Sequence, residues 1–83
     1  MTDKVLFVQS AFKHGYSKDD IIRAIETKVY EGLLKDEDDI FVIIGFDTIA
    51  NPMEVFYNFI DDETIEVFHA MYLRDKVASQ IDT

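Results

Sequence analysis

Imidazole gives and takes protons near neutral pH, and this chain carries two, His14 and His69. Brought onto one surface, they could serve as general base and general acid. The plainer reading makes His14 a polar helix end and His69 a polar strand end. Cations that could hold a phosphate are few: Lys4, Lys13, Lys18, Arg23, Lys28, Lys35, Arg74 and Lys76. Lys13 precedes His14, and Arg74 and Lys76 follow His69 closely. These three gain meaning as phosphate or RNA contacts only if the end of a first helix packs beside the start of a last one. Otherwise they are scattered surface charge.

The carboxylates suggest less. Asp36–Glu37–Asp38–Asp39 could attract a hard cation, but it lacks the alternating spacing and distal glutamate of a calcium loop, so a solvated loop is expected. Asp61–Asp62–Glu63 reads as a hairpin turn. With no cysteine, disulfides and thiolate metal sites are ruled out. The three glycines are far apart and form no phosphate-cradling loop, and no nucleophile elbow surrounds a serine. No metal and no cofactor is therefore expected.

Composition sets the scale. The chain has 83 residues, enough for one domain spanning 1–83, and is 48% hydrophobic and 13% aromatic, enough for a real core. Seventeen acids against eight Lys and Arg give a formal charge of −9. That field repels nucleic acid at long range and favours either a basic protein partner or simple solubility. RNA binding would need a local basic patch. No export signal and no membrane-length apolar run is read, so a cytoplasmic protein without membrane contact is expected.

Periodicity supplies the elements that must position these groups. Val5, Val8 and Phe12 fall at helical spacing, with Leu6 and Ala11 beside them, which predicts a helix over 3–13 that ends at Gly15. Ser17 is a good N-cap, with Asp20 three residues on and a Tyr16–Ile21 staple spacing, for a second helix over 17–30 closed by Gly32. Ile40–Ile44 reads as a strand buried on both faces. Met53–Ile60 follows, with Met53, Val55, Tyr57 and Phe59 on one face, while Glu54, Phe56, Asn58 and Ile60 form a mixed face that a partner could half cover. A third strand places Ile65, Val67 and His69 on one side and Glu66, Phe68 and Ala70 on the other. The tail from Met71 to about Gln80 is weakly helical. The expected fold is α+β: two N-terminal helices, a three-stranded antiparallel sheet and a C-terminal helix.

Lys13–His14–Gly15–Tyr16–Ser17 before an acidic capped helix resembles the Lys-His-Gly-x-Ser opening of BrnT-like toxins, of the RelE/ParE-like toxin–antitoxin group. Ile44–Gly45, the Met53–Phe59 alternation, and a last strand running through Ala70 into a basic segment extend the likeness over about 13–76. The resemblance implies a RelE-like fold and a ribonuclease acting on mRNA without a metal, held by a cognate antitoxin. It also implies that basic side chains near the last strand orient the RNA. Where the family has an arginine pair after the alanine, this chain has Met71 and Tyr72, with Arg74 and Lys76 farther on. On this reading His69 and His14 exchange protons, and Arg74, Lys76 and Lys13 hold phosphate. The alternative is a small acidic domain that binds a basic protein or a second copy of itself through the mixed sheet face, without catalysis.

Overall fold

The computed structural model describes residues 4–35 and 37–81. Asp36, in the acidic run considered above, lies outside the described residues. Five strands form one mixed sheet: β1 (Lys4–Phe7), β2 (Tyr30–Leu33), β3 (Phe41–Phe46), β4 (Pro52–Asp61) and β5 (Thr64–Tyr72), in the order β1-β5-β4-β3-β2. A 3₁₀ turn (Gln9–Phe12) follows β1, α1 (Lys18–Glu26) precedes β2, and α2 (Asp75–Ala78) runs into a second 3₁₀ turn (Ser79–Ile81).

This overturns the expected two helices over a three-stranded sheet. Residues 4–7 are a strand paired parallel to β5, with Val5 against Ile65 and Phe7 against Val67. Val5 and Phe7 pack into the core while Leu6 points outward, 48% exposed. The second helix is shorter than expected. It ends at Glu26, where Thr27 donates its hydroxyl to the Arg23 carbonyl at 2.7 Å and accepts the Phe46 N–H at 3.0 Å. Gly32 closes no helix; it lies in β2, antiparallel to β3. The β3–β4–β5 meander is antiparallel, as its short connections require.

The sheet buries two faces. Ile43, Met53, Val55, Tyr57, Ile65, Val67 and Ala70 pack beneath Ile21 and Ala24 of α1 and Ala11 of the first 3₁₀ turn. On the opposite face Val42 and Ile44 meet Val77 of α2, with Tyr30, Leu34, Phe56 and Leu73 around them.

Helix α1 starts with a full capping box: Ser17 Oγ accepts the Asp20 N–H at 3.1 Å, and Asp20 accepts the Ser17 N–H at 3.2 Å. The same Asp20 carboxylate accepts the Thr48 N–H and hydroxyl, tying the helix start to the β3–β4 turn. Gly15 ahead of it takes a left-handed φ of 88°. Ser17→Ala should cost about 1 kcal/mol, because it strips one orphan amide of its acceptor. Asp20→Ala should cost more, since it also frees Thr48. Urea midpoints of the two variants give the comparison, and equal midpoints would show that the Thr48 link adds nothing.

Candidate functional site

The site grows from a charged residue inside an apolar alternation. Glu54 lies between Met53 and Val55 on β4, and its side chain is fully buried. A buried carboxylate needs partners, and Glu54 has them. Its Oε1 accepts the Arg74 backbone N–H at 2.9 Å, and its Oε2 accepts Arg74 Nε at 2.9 Å and Arg74 Nη2 as well. The same Oε2 lies 2.8 Å from His69 Nε2. Burial opposes ionisation of Glu54, but the hydrogen bonds from His69 and Arg74 outweigh it and hold the carboxyl below its ordinary value. The Glu54 hydrogen bonds in turn raise the Arg74 guanidinium. An ionised Glu54 only accepts, so His69 Nε2 carries the proton, and in the neutral ring the lone pair is on Nδ1.

His69 reaches Glu54 because β5 carries a bulge. Phe56 pairs with His69, but the next residue on β4, Tyr57, pairs with Val67, leaving Phe68 as an extra residue. One extra residue reverses the phase of a strand. His69 therefore faces the side of Glu54 and Phe56, opposite Val67, and Ala70 joins the core. This corrects the expected sharing of one face by Ile65, Val67 and His69. The Phe56 and His69 ring centroids lie 4.4 Å apart.

The bulge also holds the second imidazole. Ser10 donates its hydroxyl to the Phe68 carbonyl at 2.7 Å, pinning the first 3₁₀ turn to β5. His14, just beyond that turn, lies with its ring centroid 5.5 Å from that of His69, edge to face. His14 and Lys13 are exposed, whereas His69 keeps 19% of its side-chain surface accessible. The structure thus brings His14, His69 and Arg74 together. Arg74 is ion-paired to Glu54 and only partly exposed, with N–H groups left over for another acceptor. Lys76 is exposed on α2, and no contact joins its ammonium group to the histidine pair.

Two further polar features escaped the sequence reading. Tyr57, within the core, donates its hydroxyl to Glu31 of β2, and Lys28 reaches the same carboxylate at 2.7 Å. Burial and the Glu31 carboxylate push the Tyr57 phenol well above its usual value. Alternation alone puts Glu54 on the mixed face and gives it no partner. Its signal was a lone acid inside the apolar run Met53–Tyr57, where an acid persists only with a cationic partner.

Acid should loosen the site in a defined window. Hydrogen bonds from the Thr48 hydroxyl and amide lower the Asp20 carboxyl to about 2, and Glu54 is lowered too. Both contribute stability that is complete above their unfolded values of about 4 and is lost as pH falls through the folded ones. Urea midpoints should hold steady from neutrality to about pH 5 and fall below about pH 4. Asp20→Asn and Glu54→Gln should each flatten that fall, and an unchanged acid limb in both would refute the assignment.

No family model, no curated protein and no solved structure matches this chain. Among the described residues no helix is long and apolar enough to cross a membrane, and no three His, Asp or Glu side chains are grouped to hold a metal ion.

Proposed function

We propose that this chain is a small endoribonuclease, toxin-like in action, that cleaves RNA by acid–base chemistry on the His14–His69 pair. The observation carrying the proposal is the 5.5 Å approach of the two rings, with Glu54 fixing the tautomer of one of them. His69 Nδ1 takes the proton of a 2′-hydroxyl as its oxygen attacks the adjacent phosphorus. The P–O5′ bond breaks, and His14 in its protonated form gives its proton to the departing 5′-oxygen. The products are a 2′,3′-cyclic phosphate and a free 5′-hydroxyl. Arg74 and Lys13 offset charge on the phosphoryl oxygens. Because the sheet departs from the arrangement that the toxin resemblance implied, the proposal rests on the histidines. A cytoplasmic location, where mRNA lies, goes with it, as does restraint by a cognate antitoxin.

The test is expression of the chain without any partner, following growth and RNA integrity together, with purified protein assayed on the same RNA. Growth arrest with fragments ending in 2′,3′-cyclic phosphate is expected. Normal growth and whole RNA would remove the enzymatic reading.

A second reading has its own support. Edge strand β2 and its approach expose Val29 at 65% and Leu33 at 49%. Together with the −9 charge, such an edge suits a basic protein that adds a strand or covers the apolar side chains. Intact RNA together with a stable complex in light scattering would favour this non-catalytic domain.

A further inference from the structure

Phe7, Gln9, Ser10, Phe12 and Lys13, the residue before His14 in the chain, line an open groove of about 540 Å³. Phe7 and Phe12 form one of its walls, their centroids 5.8 Å apart and their planes 30° from parallel. Phe12 is 37% exposed although aromatic. Lys18 Nζ lies 5.4 Å from the Phe7 centroid, and Lys13 adds a second cation at the groove. On a chain of charge −9, the groove is lined, among the described residues, by a lysine and by no carboxylate. Of the nearby acids, Asp20 is turned toward Ser17 and Thr48, and Asp19 lies exposed on α1.

We infer that this groove is a nucleobase subsite for single-stranded RNA, from which the strand continues past Lys13 toward His14. The inference rests on the ribonuclease reading for its ligand class. An exposed aromatic face with flanking cations is the arrangement that stacks unpaired bases and tracks their phosphates. Ser10 lines the groove with its hydroxyl committed to the Phe68 carbonyl, which holds this segment against β5. Gln9 is exposed and brings both a donor and an acceptor to a base edge. Paired RNA would not fit this role, because its bases are stacked on one another.

The probe is a fluorescent 2′-O-methyl RNA hexamer, which cannot be cleaved because its attacking hydroxyl is blocked. Its affinity for the full chain is read by anisotropy at several salt concentrations. Phe12→Ala should weaken binding roughly 10- to 100-fold, the loss expected of one stacked base. Phe12→Tyr should retain it. Phe12→Leu, which fills the same space without a π face, decides the matter should the alanine variant fold poorly. Lys13→Ala and Lys18→Ala should each reduce the salt slope by about 0.7. No hexamer binding, or equal affinity in the Phe12→Leu and parent chains, would overturn the subsite. Binding that depends on Phe12 while unmodified RNA stays whole would uphold the subsite and defeat the ribonuclease reading. Cleavage with an unchanged KM in Phe12→Leu would do the reverse.

Discussion

His69→Ala is expected to slow RNA cleavage by about 100- to 10,000-fold, the usual loss on removing a general acid or base. The fold should survive. His69 lies on the sheet face opposite the α1 core and remains partly accessible, and the remaining partners of Glu54 come from Arg74. Glu54→Gln separates the base from the group that positions it. The amide keeps the shape but no longer demands a proton on His69 Nε2, so both tautomers become available. The expected result is a smaller fall in kcat, little change in KM and an altered pH–rate profile. His14→Ala should act on the opposite limb of that profile. Equal rates in the parent and His69→Ala chains would mean that any cleavage arises elsewhere.

The largest structural effect is expected at Gly45. A Cβ there would meet the Ala24 carbonyl oxygen at 1.9 Å and its carbonyl carbon at 2.7 Å. Both are helix backbone, so no side chain can rotate away. Helix α1 would have to lift from β3, opening the core around Ile21 and Ile43. Gly45→Ala should cost about 3 kcal/mol or more, a large share of the roughly 4–12 kcal/mol that holds a domain of this size. Gly15→Ala is the matched control. It strains a left-handed residue but meets nothing within 4 Å, and should cost about 1 kcal/mol. Urea midpoints that move equally in the two variants would show that the α1–β3 contact is soft.

The sequence made some of this legible and hid the rest for physical reasons. Local signals were readable. Ser17 and Asp20 form the cap they suggest, Gly15 has its positive φ, and Met53, Val55 and Tyr57 share a core face. Residues 4–7 were not readable, because a run as short as Val5–Val8 fits helical and strand periods alike. The parallel pairing to β5 decides between them, and that partner lies at the far end of the chain. The expected helix over 17–30 overruns the observed end at Glu26 and hides the start of β2, because the Thr27 stop is tertiary, depending on Phe46. Alternation along β5 misplaced His69 because a bulge is written in the pairing of two strands and not in either one. The candidate residues His14 and His69 could be named; their meeting, and the carboxylate behind them, could not.

The pairing of Lys4–Phe7 with Thr64–Val67 has a consequence for a chain still being synthesised. The first strand emerges from the ribosome long before its partner exists, and the loop to be closed is most of the molecule. Such distant contacts form late and slowly, since closure entropy must be met before the contact rewards it. The segment carrying Ser10 and His14 is anchored through Val8 and Ser10 to Val67 and Phe68. A nascent chain therefore cannot align its two imidazoles until β5 has been made. Whatever chemistry the pair performs waits on that long-range closure and not on the local folding of either histidine's own segment.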